Sequence, residues 1–161
     1  MVRMGLVIFV GAIIVSMAVA IYAYVLYQPN FLFASEGEPL QVGPVKYIIT
    51  YEGQHNGNEE IRPKNSFFMI RIVAENLGSE TTKISGGQFY LIDNNEKIEP
   101  IYGEFSEEDL LIHDLEPKKA HTYTTQFDVD FDEEKQYRVG IETRKDQSSR
   151  DIGIICVLNC Q

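Results

Sequence analysis

The pattern of apolar and polar positions divides the chain in two. From Met4 to Tyr27 no residue is charged, and the side chains are apolar or small with Ser16 among them. A core helix of this length in a soluble protein would carry a polar stripe, and none is visible. At ~1.5 Å per residue, such a segment crosses a ~30 Å hydrocarbon core, and only a helix satisfies its own peptide groups in lipid. The pattern predicts a transmembrane anchor over 1–27. A cleaved signal peptide is the competing reading, since Ala18-Val19-Ala20 fits a small-x-small cleavage site. The apolar run continues through Ile21–Tyr27, which favours the anchor.

Beyond it the period changes. Residues 28–39 hold two prolines, Gly37 and several polar residues, and read as a linker. Phe31, Leu32 and Phe33 within it would meet the membrane interface or cover the base of the next domain. Over 40–161 come short strand-like segments with turn residues between them. Val45–Tyr51 is β-branched and aromatic. Ser66–Asn76 is apolar on much of both faces, which suits a central strand. Thr81–Ser85 is a short strand, and Gln88–Asp93 turns at Asn94-Asn95 into Lys97–Ile101. Phe105–Leu111 predicts one helical turn, with Ser106 as N-cap. Thr122–Phe131 alternates cleanly, placing Tyr123, Thr125, Phe127, Val129 and Phe131 on one face. Tyr137–Thr143 and Ile152–Leu158 complete about seven strands. The expected fold is all-β, an antiparallel sandwich behind one transmembrane helix.

Charge then sets the orientation. Arg3 precedes the apolar run, and the next cation is Lys46, after Glu36 and Glu38. The N-terminus is therefore expected in the cytoplasm and the C-terminal domain outside it. Tyr22, Tyr24 and Tyr27 fall where an outer aromatic belt belongs. The rest of the chain carries 13 basic against 24 acidic residues. Such a domain is repelled by phosphate backbones, which argues against a nucleic-acid partner. It would also avoid lying flat on an anionic membrane.

The order of these features resembles immunoglobulin-like extracellular domains of unknown function, found behind N-terminal anchors or lipoprotein signals in bacteria and archaea. The matching stretches are Val42–Tyr47, Phe68–Asn76 with Leu77-Gly78-Ser79-Glu80, Phe89–Asn95, Leu115-Glu116-Pro117-Lys118 and Phe127-Asp128-Val129. Together they span roughly 40–143. The resemblance implies an immunoglobulin-like sandwich and brings no reaction or catalytic residue with it. The cysteine-bearing tail lies beyond the shared region.

Candidate chemistry is sparse. Asp128, Asp130 and Asp132 begin like a calcium loop, but Glu133 stands where a sharp turn needs glycine and Val139 where the last acid belongs. On a strand end, these carboxylates simply face water. Glu104, Glu107, Glu108, Asp109, Asp114 and Glu116 form a second acidic patch, with nothing in sequence to pair two of them. His113 and His121 are the best pair for copper or zinc, with only His55, two cysteines and acids to complete a ligand set. Ordinary surface histidines are the plainer explanation. Cys156 and Cys160 are expected to pair in an oxidising compartment. An extended strand would hold them about 13 Å apart, so a turn at Val157–Asn159 is required. Ala12, Ser16 and Ala20 make a small-residue stripe on which another helix can pack, although plain anchoring needs no such use.

No nucleophile elbow, zinc-protease, P-loop or dinucleotide fingerprint is present. The expectation is a non-enzymatic module without a cofactor. It would be anchored in the membrane and would meet a protein partner in the envelope. Extracytoplasmic binding of copper, zinc or calcium is the alternative, and a spatially assembled hydrolase site comes last.

Overall fold

Apolar character unbroken from Met4 onward underlies one helix, α1 (Val2–Leu26), whose side chains from Met4 to Tyr22 are exposed. The computed structural model describes residues 2–94, 96–103, 105–145, 147 and 149–160. Asn95 and Glu104 of the expected hairpin and acidic patch, and the side chain of Arg3, lie outside the described residues. Length and composition let Met4–Leu26 cross a membrane.

After α1 the chain is almost entirely strand. The elements are β1 (Asn30–Ser35), β2 (Leu40–Val42), β3 (Val45–His55), β4 (Ser66–Asn76), β5 (Thr82–Ser85), β6 (Phe89–Asp93), β7 (Glu96–Ile98), β8 (Ile112–Leu115), β9 (Ala120–Val129), β10 (Tyr137–Glu142) and β11 (Asp151–Leu158). They form one sheet ordered β1-β11-β10-β6-β7, a second ordered β2-β3-β4-β9, and a β5-β8 pair. The fold is the expected sandwich, with eleven strands among the described residues in place of about seven. The surplus strands are β1, six residues inside the expected linker, and β2 and β8, of three and four residues, too short to show a period.

The core is built by alternation. Tyr47 and Ile49 of β3, Phe68, Ile70 and Ile72 of β4, and Phe127 of β9 point inward from the four-stranded sheet. Phe89, Leu91, Val139, Ile141, Ile155 and Val157 meet them from the five-stranded sheet, all essentially without solvent exposure. Two glycines are required by position. Gly53 sits at the bulge of β3 with φ +123°, a conformation that a side chain resists. Gly140 lies under the Tyr90 ring, where an added Cβ would come within 2.1 Å of ring carbon.

Three expectations are corrected. The segment 28–39 is not merely a linker, because β1 pairs in parallel with β11, Asn30 opposite Asp151 through Ser35 opposite Cys156. Among the named strands the sandwich is therefore antiparallel except at this edge. Phe105–Leu111 forms no helical turn. The Asp109 carboxylate accepts the Phe105 and Ser106 N–H groups, at 2.6 and 3.2 Å, and closes a turn. Strand β9 then captures the following backbone, with Leu110 N–H donating to the Thr124 carbonyl and Thr124 N–H to that of Glu108. This pairing also explains why Thr124 and Gln126, on the face of β9 expected to be polar, are buried.

Candidate functional site

Sequence singled out histidines and carboxylates, and folding gives most of them ordinary partners. His113 and His121 lie at the surface beside Tyr123, the His113 ring tilted against it at a centroid distance of 5.1 Å and the His121 ring stacked at 6.3 Å. Asp128 is only half-buried because it clamps a loop, accepting the Lys64 and Asn65 N–H groups at 2.6 and 3.0 Å. The reading of Asp128 as a carboxylate facing water is thus corrected. Asp132 accepts the Glu134 N–H within its own turn, and Asp130 is exposed. Among the described residues, no three His, Cys, Asp or Glu side chains converge on a common point. The second acidic patch also disperses. Glu108 pairs with Arg71, Asp114 with Lys83 and Glu116 with Lys119.

Cys156 and Cys160 are joined in a disulfide with Cα atoms 5.7 Å apart. The chain reverses at Asn159, whose φ is +53°. Its side-chain amide donates to the carbonyls of Glu133 and Lys135, tying the tail to the β9–β10 loop. Ala12, Ser16 and Ala20 are exposed on α1, and the Ser16 hydroxyl donates to the Ala12 carbonyl at 2.8 Å.

His55 has a different environment. It lies on the outer side of the four-stranded sheet against Phe67 and Phe105, with ring centroids 5.1 and 5.2 Å away. Its Nδ1 accepts the Gly57 N–H at 3.1 Å, so the neutral ring carries its proton on Nε2, which is buried without a partner among the described residues. Burial holds the imidazole below its usual pKa, with the Asp109 carboxylate acting the other way. As pH falls, the unfolded chain therefore protonates first. The contribution of neutral His55 is complete above about pH 6.5 and is lost as pH drops toward the folded-state value. Between about pH 7.5 and 5, this residue should lower the Tm, a small effect because the ring is partly exposed. His55→Phe keeps the ring and removes the titration, so its melting curves should show a flatter pH profile; an unchanged profile contradicts this role.

An open cleft of about 660 Å³ lies at the end of the sandwich from which α1 departs. The β2–β3 turn at Gly43-Pro44, the segment 78–83, Asp114, Gln147, Ser149 and Asp151 line it. Two of its lining residues, Gly78 and Glu80, are held from behind by Asn76, the last residue of β4, which is fully buried. The Asn76 amide donates to the carbonyls of Glu80 and Leu115 at 2.7 and 2.8 Å and accepts the Gly78 N–H at 2.8 Å. Asp151 accepts from Ser149 and Asn30, and these bonds hold its carboxyl below the usual range. The lining offers hydroxyls, one Lys83–Asp114 ion pair and exposed backbone. That chemistry suits hydrogen bonding to a polar segment of another chain. Sequence reading missed Asn76, although its position, ending an apolar strand before Leu-Gly-Ser, is a turn signal.

A two-sheet β-sandwich with a polar end cleft, carried behind an apolar helix, is the class of protein these features define. Residues 35–150 match the family described as "Domain of unknown function (DUF4352)", and the chain belongs to it. A search among curated proteins finds no match. Among solved structures, the yjhA protein of Bacillus subtilis is similar at 16% identity and TM-score 0.61, over 76% of this chain and 98% of that one. The B. subtilis ycdA protein, described as a candidate lipoprotein, is similar at 16% identity and TM-score 0.58, over 77% of this chain and 39% of that one. The secreted protein MPT63 of Mycobacterium tuberculosis follows at 8% identity and TM-score 0.57, over 79% of this chain and 98% of that one. At these identities the likeness is one of fold.

Proposed function

We propose that the chain is a membrane-anchored, extracytoplasmic binding module that serves as an accessory subunit to a membrane-embedded protein. In this reading α1 spans once with its N-terminus in the cytoplasm, and the domain works by contact, without catalysis or nucleic acid. The observation that carries it is the position of the cleft. Asp151 on its rim is adjacent to Arg150, whose guanidinium stacks on Tyr27 at the end of α1, 4.4 Å from the ring centroid. A polar cleft so close to the bilayer is within reach of a partner that is itself held in the membrane. The candidate lipoprotein and the secreted protein among the fold neighbours support an extracytoplasmic setting. An immunoglobulin-like surface module fits the same reading, since such sandwiches bind through loops and faces on a fixed scaffold.

A photocrosslinking residue at Thr82, inside the cleft, tests the proposal in native membranes with the full chain. The expected product is one discrete adduct with an integral membrane protein, absent when the probe is moved to Ile112. No adduct from Thr82, or the same adduct from both positions, overturns it.

A further inference from the structure

The outer face of the five-stranded sheet is apolar where it adjoins the helix. Phe31 and Phe33 on β1 are 50% and 69% exposed. The register sets them beside Ile152 and Ile154 of β11, whose alternate neighbours Ile155 and Val157 fill the core. The face continues to Gly140 beneath the Tyr90 ring, with the Lys97 ammonium 4.1 Å from the centre of that ring.

The end of α1 is fastened against this face. The Arg150 guanidinium donates to the Leu26 carbonyl, and the Asn30 N–H donates to the Arg150 carbonyl at 3.2 Å. Two notches lie between the last helical turn and the sheet. Tyr24, Tyr27 and Phe31 line one of about 440 Å³, and Tyr27, Arg150 and Ile152 line another of about 250 Å³. Tyr24 is about 4.5 Å below Tyr27 along the helix axis. A side chain sharing a notch with Tyr24 therefore stands at the depth of the outer membrane–water boundary when α1 spans. Phe33 lies about 7 Å further along its strand. That separation is comparable to the ~5–10 Å depth over which interfacial side chains bury.

Charge agrees with this placement. The whole domain is strongly acidic, yet the outward positions of β10 and β7 carry Arg138 and Lys97, which balance Glu142 and Glu99, both paired with Lys97. Net charge predicted avoidance of the membrane surface; the distribution of charge leaves this one face free to approach it.

We propose that this face is a second membrane contact. Phe31 and Phe33, flanked by Tyr24 and Tyr27, sit in the headgroup–acyl boundary of the bilayer that holds α1, so the domain leans on lipid and does not swing freely on its anchor. The proposal rests on the reading that α1 spans, and its test separates the two.

The chain contains no tryptophan, so each of F31W, F33W, I112W and V15W carries a single emitter. The full-length variants are reconstituted in phosphatidylcholine vesicles with lipids brominated at shallow or deep acyl positions. The expected result is blue-shifted F31W and F33W emission quenched by shallow bromines, I112W emission that stays red-shifted and unquenched, and V15W emission quenched by deep bromines. If V15W is quenched while F31W and F33W behave like I112W, the second contact is overturned and the anchor stands. A blue shift at F31W and F33W without bromine quenching means that protein covers the face, and also overturns the proposal. If V15W itself escapes quenching, the anchor reading falls and this contact falls with it.

Discussion

Replacing Asn76 with leucine is expected to lower unfolding stability by about 3–5 kcal/mol, because three buried or half-buried hydrogen bonds vanish. The leucine is of similar size, so the loss is one of polar satisfaction. The Glu80 and Leu115 carbonyls lose their donor, and the Gly78 N–H loses its acceptor. The Asn76 backbone is bound as well, its N–H to the Lys119 carbonyl and its own carbonyl to the Lys118 N–H. One residue thus ties together the β4–β5 turn, the end of β8 and the β8–β9 turn. Asn76→Asp provides the control. At neutral pH a carboxylate would face two carbonyl oxygens and be nearly as disruptive, and protonation below about pH 4 should restore one donor and part of the stability. Urea unfolding of the full chain in detergent micelles measures both. A loss below about 1 kcal/mol for the leucine variant would contradict the role assigned to Asn76.

Phe68→Ala is expected to cost a similar ~3–5 kcal/mol, through lost burial and the cavity left behind. Phe68 is fully buried at the end of the sandwich far from α1, with Tyr51, Tyr137 and Phe131 centred 4.5, 5.0 and 5.9 Å away. The damage should spread in a definite direction. Phe131 stacks on Tyr137, and the Tyr137 phenol oxygen accepts the Asp132 N–H at 3.0 Å, so these rings hold the acidic β9–β10 loop in place. Limited proteolysis of Phe68→Ala should therefore cut around Glu133–Lys135 sooner than elsewhere, and Phe68→Leu should cost less on both measures. Cleavage that begins in the β2–β3 turn would show that the rings do not support the loop.

These two residues differ in how legible they are. Phe68 belongs to an alternating run, and its neighbours announce a strand packed on both sides. Asn76 ends the same run, and its sequence context promises only a turn. Its three partners come from segments up to 39 positions away. The same contrast holds across the candidate sites. His113, His121 and the 128–132 carboxylates stand out by residue type, but their partners are a tyrosine ring, loop N–H groups and solvent. His55 drew notice only as a spare ligand, and its burial depends on Phe67 and Phe105 arriving from two other parts of the chain.

Sequence alone determined the apolar helix, the sandwich class, the main strands and the acidic balance, because each follows from the local period or composition of consecutive residues. Tertiary structure alone decided that a supposed linker becomes β1 beside the last strand, that Asn76 holds two lining residues of a cleft next to the helix, and that Phe31 and Phe33 share an outward face with Ile152 and Ile154. The physical reason is one of range. Periodicity records which side of an element is apolar, whereas strand partners and hydrogen bonds between distant segments are chosen only when the two sheets close on a common core.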